Sequence, residues 1–258
     1  MTIGYATDRN ISKRSNNLSQ QPSYRALGLT NPTIGMTATS ATTQTGVKKF
    51  GTASMLVSAN SGYIMNTSGV YDWWPEGTGS WTLQWWMYIP SAVSGTISRH
   101  VCSNEMTNGG LGLRLGRSYG NANLNALNIF ARGQADMEYW DYTWTRDTWQ
   151  FVSICRSGTN LYFHVDGVYQ GAADGGTGAG TRNFVATSGF NKIQIGNSGD
   201  VGLNGIYIDD FQVFKSTAVY TSSNYTPPAS EAGLITGTTA LFNMNGSNGG
   251  TSFPNVTA

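Results

Sequence analysis

The segment from Trp81 to Ile89 constrains the fold of this chain most strongly. Its sequence, WTLQWWMYI, places apolar residues at alternate positions. Successive side chains of a strand point to opposite faces, so the pattern predicts a strand with one face in a core. The second face, from Thr82 to Tyr88, mixes polar and aromatic residues and is expected to line a concave or partly covered surface. Such a strand is typical of a β-sandwich.

Turn residues predict the neighbouring strands. The segment 149–156 is expected to pair with 161–165, and Asp166-Gly167 is a type I′ signal that places 168–171 antiparallel to 161–165. No stretch sustains helical spacing of apolar residues, so the predicted class is all-β. Further strands are expected at 53–58, 62–65, 112–115, 127–132, 192–196, 205–214 and 238–246.

Charge and hydropathy exclude several classes of protein. Charged residues make up 11% of the chain, against roughly 25% in an average domain, and the net charge is +1. With only 15 Lys and Arg in total, a nucleic-acid partner is not expected. No run approaches the ~20 apolar residues of a membrane span, and the first residues, MTIGYATDRN, do not resemble a signal peptide. Synthesis in a cytoplasm is therefore expected.

Residues 1–45 differ from the rest of the chain. They are rich in Asn, Ser, Gln and Thr and show no hydrophobic periodicity, so we expect an extended arm that cannot form its own core. Such an arm is expected to pack against another surface, and a neighbouring subunit of a homo-oligomer is the simplest candidate. The predicted organisation is an arm at 1–45 and one jelly-roll sandwich at 46–258.

Four segments, in order, resemble the laminin-G-like, concanavalin-A-like jelly roll found in many phage structural proteins. They are GVKKFGTASM (46–55), WTLQWWMYIP (81–90), WQFVSICRSGTNLYFHVDGVYQG (149–171) and FNKIQIGNSGDVGLNGIYIDDFQVFK (190–215). The resemblance implies a non-enzymatic virion protein, either a capsid decoration or head-fibre subunit or a tail-fibre component. Its arm would then bind other virion proteins, and its sandwich would face outward and could bind cell-surface glycans.

Two other functions stay open, a soluble lectin and a degenerate glycoside hydrolase. Hydrolases of this family carry Glu-x-Asp-x-x-Glu, in which two carboxylates flank the scissile bond. The nearest segment here is Asp136-Met-Glu138-Tyr-Trp-Asp141, where Asp136 and Glu138 share a strand face and Asp141 falls on the other unless a bulge intervenes. By default, we interpret these three carboxylates as solvated charges in a loop.

Aromatic side chains supply the candidate sugar-binding residues. Flat rings beside carboxylate and amide acceptors suit the CH faces and hydroxyls of a carbohydrate. The alternative is that these rings fill the sandwich or a subunit interface. The candidates are Trp73, Trp74, Tyr139, Trp140, Tyr142 and Trp144.

Asp210 is the candidate metal ligand. Alternation places Ile206, Ile208 and Asp210 on one side of a strand. In similar jelly rolls an Asp at the corresponding place binds a structural Ca²⁺ with backbone carbonyls of the opening loop, here near 46–50. The alternative is that Asp210 accepts backbone N–H bonds without a metal.

The two cysteines and two histidines have the spacing of no metal or nucleophile motif. Cys102 and Cys155 are expected to be buried thiols rather than a disulfide, and His100 and His164 ordinary sheet histidines.

Overall fold

Two antiparallel sheets of eight strands form the described part of this chain. The computed structural model describes residues 34–66, 72–93, 98–104, 109–117, 124–131, 136–184, 193–197 and 201–256, without the side chains of 136 and 137. These residues contain strands and turns and no helix, which confirms the predicted all-β sandwich. Consequently, none of these segments is a helix long and apolar enough to cross a membrane.

The first sheet, sheet A, contains strands from both ends of the sequence. Its order is β1–β4–β14–β6–β7–β8–β9–β13. The strands are β1 (Met36–Thr39), β4 (Tyr63–Asn66), β14 (Ile193–Ile195), β6 (Arg99–Asn104), β7 (Leu111–Leu115), β8 (Ala126–Ala131), β9 (Asp136–Asp141) and β13 (Gly175–Gly176).

The second sheet, sheet B, has the order β12–β11–β10–β5–β15–β3–β2, and β16 pairs with β15 beside β3. The strands are β12 (Val168–Tyr169), β11 (Asn160–Val165), β10 (Trp149–Ser157), β5 (Trp81–Tyr88), β15 (Tyr207–Phe214), β3 (Ser54–Val57), β2 (Ala41–Gln44) and β16 (Ala240–Phe242).

Strand β5 lies in the middle of sheet B and contributes one whole face to the core. Trp81, Leu83, Trp85 and Met87 are buried in the main hydrophobic cluster, as their alternation predicts. The ring of Trp85 stacks on Phe211 of β15, with centroids 5.9 Å apart. Buried aromatic side chains of this size contribute several kcal/mol each, on the order of 3, to folding. The core between the sheets therefore depends heavily on β5.

The predicted hairpin at Asp166-Gly167 is confirmed. Both residues have positive φ, 50° and 77°, as a type I′ turn requires. Strand β11 pairs with β12 through Val165 opposite Val168. A Cβ at Gly167 would lie 1.9 Å from the carbonyl oxygen of Tyr225, so this turn also needs glycine for space.

Strands β1, β2 and β13 lie where no strand was predicted. For β6 and β9 no bounds were predicted, only a sheet position for His100 and a shared strand face for Asp136 and Glu138. Their sequences carry little apolar alternation; β6, for example, is RHVCSN. Pairing within the sheet, rather than periodicity, places them. Strand β6 also has an irregular register with β7 between His100 and Cys102, and both Val101 and Cys102 lie in the core.

The boundary between arm and sandwich is corrected by β1 and β2. Residues 34–45 fell in the predicted arm, yet they supply an edge strand to each sheet. Ser40, with φ of 45°, joins the two strands where the chain crosses from sheet A to sheet B. Ile34 is buried in the core. Of the predicted arm, residues 1–33 lie outside the described residues.

A C-terminal segment, residues 247–255, runs beside both of these edge strands. Thr43 of β2 exchanges backbone hydrogen bonds with it, donating to Gly250 and accepting from Gly249. Thr37 of β1 forms an antiparallel bridge with Ser252. Ile34 N donates to Asn255 Oδ1 at 2.7 Å. The two ends of the described chain therefore meet along one side of the sandwich.

Both thiols and both histidines occupy sheet positions. Cys102 and Cys155 are free and buried, which confirms the prediction of two buried thiols. Burial raises the pKa of both, that of Cys155 to about 11, so they are protonated at neutral pH. His100 and His164 are buried in β6 and β11, as expected of sheet histidines.

The position of β1 and β2 predicts a sharp difference between two truncations. Removal of residues 1–33 should leave a cooperatively folding sandwich, because the described strands all remain. Removal of residues 1–45 should lower the melting temperature by about 10 °C or more, because two edge strands and Ile34 are lost. Differential scanning calorimetry of both variants measures this, and equal melting temperatures would contradict the assignment of 34–45 to the sandwich.

Candidate functional site

The four tryptophans among the candidate sugar-binding residues are buried. Trp73, Trp74, Trp140 and Trp144 expose between 0% and 2% of their surface and belong to the main core. Trp73 and Trp74 pack edge to face, with centroids 5.7 Å apart. No ring face is left on which a sugar could stack. The interpretation of these four residues as a sugar site is therefore corrected in favour of packing.

Local geometry explains why Trp140 and Trp144 point inward. Strand β9 alternates, so that Trp140 faces the core, and its Nε1 donates to Gly171 O at 3.1 Å. Trp144 follows the end of β9, where its Nε1 donates to Leu124 O at 2.9 Å. Both indole N–H groups thus have backbone partners, which buried tryptophans normally require.

Tyr142 supports this packing rather than presenting a free ring. Its ring lies edge to face on Trp144, with centroids 4.8 Å apart, and its hydroxyl accepts from Gln150 Nε2 at 3.0 Å. Burial raises the pKa of Tyr142, although hydrogen bonding to Gln150 opposes that rise. The phenol is half-buried.

Tyr139 is the candidate that the structure places on an outer face. It is half-buried on β9, and the Arg117 guanidinium lies 5.5 Å from its ring centroid. Arg117 Nε donates to Asp141 Oδ1 at 2.6 Å, and Arg117 Nη2 donates to Asp141 Oδ2. Asp174 Oδ2 in turn accepts from Asp141 N at 2.6 Å. A ring, a guanidinium and two carboxylates therefore share one patch, which we call the Tyr139 patch.

The Tyr139 patch continues across sheet A. Asn128 lies opposite Tyr139 in the pairing of β8 with β9, and Arg114 lies opposite Asn128. Asn128 Nδ2 donates to Arg117 O at 3.0 Å, whereas its Oδ1 has no hydrogen-bond partner although the residue is fully buried. Buried polar atoms are nearly always satisfied, so an exception needs an explanation such as a ligand or a water.

A second row of residues crosses the same face of sheet A and consists of Phe130, Gly112, Ser103 and Gln194. Phe130 lies directly over Gly112, where a Cβ would come within 2.2 Å of the ring. The Arg114 guanidinium lies 4.9 Å from the Phe130 centroid. Beyond Gly112 in the register come Ser103 and then Gln194, and Ser103 Oγ and Gln194 Oε1 have no hydrogen-bond partner. The outer face of sheet A thus combines rings with unused hydrogen-bonding capacity.

The outer face of sheet B is covered by the chain itself. Lys49 Nζ lies 3.9 Å from the ring of Trp86, and Thr82 Oγ1 donates to Thr217 O at 2.8 Å. Gln212 Nε2 reaches Gly233 O at 3.2 Å. This matches the partly covered surface expected for the second face of β5. The Tyr139 patch, where Arg117, Asp141 and Asp174 are exposed, is the more open candidate.

Glu138 and Asp141 of β9 do not form a catalytic pair. Glu138 pairs in register with the core residue Ile129, and its Oε1 accepts from Ala179 N at 3.0 Å. Asp141 points to the other face, where it pairs with Arg117. Asp136 pairs with Phe130 across a register shift, and its side chain is outside the described atoms. Glu138 and Asp141 therefore cannot flank one bond.

Asp210 lies in a β-bulge, which overturns the alternation expected for it. Asp209 is opposite Trp86 and Gln212 opposite Gln84, so Asp210 and Phe211 together face Trp85. Asp210 has φ of 48°. Phe211 takes the core position that alternation gave to Asp210.

The donors around both aspartates support the hydrogen-bond alternative for Asp210. Asp210 Oδ2 accepts from Ala232 N at 2.8 Å and its Oδ1 accepts from Asn243 Nδ2 at 2.5 Å. Asp209, not Asp210, faces the opening loop, and it accepts the N–H groups of Lys49 and Phe50. A Ca²⁺ needs oxygen ligands.

These residues do not fit a calcium site. The opening loop offers N–H donors to the aspartates, and the described residues contain no group of three or more His, Cys, Asp or Glu that could hold a metal. Burial is the main cause that raises the pKa of Asp209 to about 7 and that of Asp210 to about 6.

The raised pKa values predict a stability that falls as pH rises. Between about pH 4 and pH 7 the folded state keeps protons that the unfolded state has lost, so unfolding becomes more favourable with increasing pH. We expect the melting temperature to fall by an amount on the order of 5 °C across this range. Asp210→Asn should flatten the curve, whereas Asp72→Asn, at an exposed position, should not. A melting temperature that changes on addition of calcium or a chelator would contradict this interpretation and support a metal site at Asp210.

Burial of Trp144 predicts a structural phenotype for its removal. Trp144→Ala should lower the free energy of unfolding by about 3 to 5 kcal/mol, because a large cavity forms and the carbonyl of Leu124 loses its donor. Chemical denaturation measures this. A stable variant that had lost only ligand binding would restore Trp144 to the sugar site.

None of the family models matches this sequence, and none of the curated proteins does. Among solved structures, the chain is similar to the binding domain of botulinum neurotoxin serotype D, with 14% identity over 72% of this chain and 48% of that chain and a TM-score of 0.45. It is similar to the receptor binding domain of botulinum neurotoxin type G, with 10% identity over 71% and 43% and a TM-score of 0.47.

A third similarity is to a "putative carbohydrate binding protein" from Bacteroides ovatus ATCC 8483. Here the identity is 13% over 88% of this chain and 60% of that chain, with a TM-score of 0.45. This chain spans less than two thirds of the length of each of these three proteins.

Proposed function

We propose that this protein is a non-enzymatic carbohydrate-binding β-sandwich that holds a sugar at the Tyr139 patch. The observation that carries the proposal is the grouping of the half-buried Tyr139 ring with the exposed ion pair of Arg117 and Asp141 and with the exposed Asp174. Of the predicted aromatic candidates, Tyr139 has the position that sugar stacking requires.

The chemistry of the patch suits a pyranose. The exposed part of the Tyr139 ring, whose hydroxyl end lies over Gly175, would contact sugar C–H groups. Asp141 and Asp174 would offer acceptors to the hydroxyls. The bidentate pair of Arg117 with Asp141 fixes both side chains in one plane. Because these groups are held before binding, little side-chain entropy would be lost on association.

The absence of enzymatic activity is part of the proposal. Glycoside hydrolysis needs two carboxyl groups facing one bond, about 5 to 10 Å apart. Among the described side chains of β9, Glu138 and Asp141 lie on opposite faces. The alternative of a degenerate hydrolase therefore receives no support from this strand.

A place in a phage virion is a further proposal, and it rests on the four sequence motifs alone. In that setting residues 1–33, rather than 1–45, would anchor the sandwich to other virion proteins or to copies of the chain. The outer face of sheet A would then present the Tyr139 patch to glycans of the host surface.

The Tyr139 patch predicts a specific pattern on a glycan array. Tyr139→Ala should weaken binding about tenfold or more, while Tyr139→Phe should keep most of it because stacking needs only the ring. Asp141→Asn should weaken binding through the loss of a charged acceptor.

The matched control is Tyr162→Ala, which removes another half-buried tyrosine from the opposite sheet. This variant should bind as the parent does. A parent protein that binds no glycan, or equal losses in Tyr139→Ala and Tyr162→Ala, would contradict the proposal.

A further inference from the structure

His164 is a buried histidine whose ring makes no hydrogen bond. It lies on β11, opposite Ser153 of β10, and exposes 0% of its surface. Neither Nδ1 nor Nε2 has a hydrogen-bond partner. A neutral imidazole has one donor and one acceptor nitrogen, and both are unused here. The ring is therefore held by packing.

Tyrosine rings surround His164 on the outer face of sheet B. Their centroids lie 5.1 Å (Tyr225), 5.4 Å (Tyr169) and 6.0 Å (Tyr220) from that of His164. Tyr169 belongs to the neighbouring strand β12. The other two stack on each other, with centroids 3.6 Å apart, and come from residues 216–225, which we call the strap.

The strap crosses sheet B without forming a strand of its own. Val219 N donates to Thr82 Oγ1 at 2.9 Å. Further along, Tyr225 N donates to Gly167 O at 2.9 Å, and the Tyr225 hydroxyl lies 2.8 Å from Ser153 Oγ. A segment held by a few such hydrogen bonds opens more readily than a strand inside a sheet.

The titratable groups around His164 are phenols and a thiol, which are uncharged at neutral pH. They come from β10, β11, β12 and the strap, and they are Cys155, Tyr162, Tyr169, Tyr220 and Tyr225. Burial raises the pKa of Tyr220 and of Tyr225 further. Asp166 is the acid nearest in sequence, and its Oδ1 accepts from Phe151 N at 2.8 Å.

Protonation of His164 would place a positive charge among these neutral groups. A buried charge without a partner is strongly unfavourable. Burial is the main cause that lowers the pKa of His164, and the backbone of Thr221 and of Ser223 opposes this only in part.

Opening of the strap would remove this penalty. Water would then solvate the imidazolium, and the pKa of His164 would return towards its usual value of about 6.5. The open form binds more protons than the closed form in the range below that value. Acid therefore favours the open form, and neutral pH favours the closed form.

We propose that His164 is a pH sensor whose protonation in mildly acidic solution releases the strap and uncovers the outer face of sheet B. The side chains uncovered would include Trp86, Phe151 and Cys155, which are buried in one cluster with Tyr220 of the strap. This device does not depend on carbohydrate binding, because the Tyr139 patch lies on sheet A.

The thiol of Cys155 makes opening of the strap measurable. Its Sγ lies 3.2 Å from Thr82 Oγ1, the atom that accepts from the strap at Val219. Cys102, in contrast, is buried in the core between the sheets. It therefore reports on unfolding of the whole sandwich.

The experiment is thiol labelling of the full chain at pH 7.5 and pH 5.0 with 4,4′-dithiodipyridine, which reacts in acid as well. Peptide mass spectrometry identifies the labelled cysteine, and each rate is divided by that of the urea-unfolded chain at the same pH. The normalised rate of Cys155 should rise about ten- to thirtyfold at pH 5.0, the limit that one histidine with an open-state pKa of about 6.5 allows. Cys102 should stay protected.

Two variants of His164 test whether this residue is the sensor. His164→Phe keeps a ring that cannot take a proton, and His164→Gln is a smaller neutral replacement in case the phenyl ring disturbs packing. In both, the rate of Cys155 should no longer rise in acid. The matched control is His100→Phe, which removes the other of the two histidines and should respond as the parent does.

The melting temperature is not a suitable measurement here. Asp209 and Asp210 raise it as the pH falls, whereas His164 should lower it.

Three results would overturn the proposal. The first is an equal normalised rate of Cys155 in the parent protein at both pH values. The second is an acid response that persists in a folded His164→Phe or His164→Gln variant. The third is labelling of Cys102 together with Cys155, since that would show unfolding of the whole sandwich instead of release of the strap.

Discussion

The packing of strand β5 against both of its neighbours is the interaction on which the sandwich depends. Its inward residues enter the core, while Gln84 Nε2 on the outer side donates to Gln212 Oε1 of β15 at 2.7 Å. Because β5 pairs with β10 over eight residues and with β15 around the bulge, its register orients most of sheet B. The loops that cover the outer face of sheet B pack on a surface whose position β5 determines.

The alternation and turn signals of sheet B were sufficient to predict its centre. The hairpin at Asp166 and the two faces of β5 follow from local sequence, since each is set by neighbouring residues. Strands β1, β2 and β13 could not be predicted in the same way, because their short sequences without apolar alternation become strands only through their partners. The bulge at Asp210 was equally hidden, because an inserted residue does not interrupt the apolar pattern in a visible way.

The residues of the candidate site could likewise be predicted only in part from the sequence. The sequence could identify Tyr139 and Asp141, which lie two residues apart in one aromatic and acidic segment. It could not identify Arg117, Asn128 or Asp174, because sheet pairing brings these residues together from separate segments. The four tryptophans allowed two interpretations, sugar binding and packing, because their size suits both a sugar ring and a core. Their burial in the core supports packing.

The C-terminal segment that runs beside β1 and β2 has a consequence for how copies of this protein behave towards each other. A free strand edge is a template on which another chain can add a strand. The backbone hydrogen bonds of Thr43 and the bridge at Thr37 occupy such positions with residues of the same chain. The segment thus protects these two edges against the addition of strands from other copies of the chain. Its release would expose both edges for pairing with another chain.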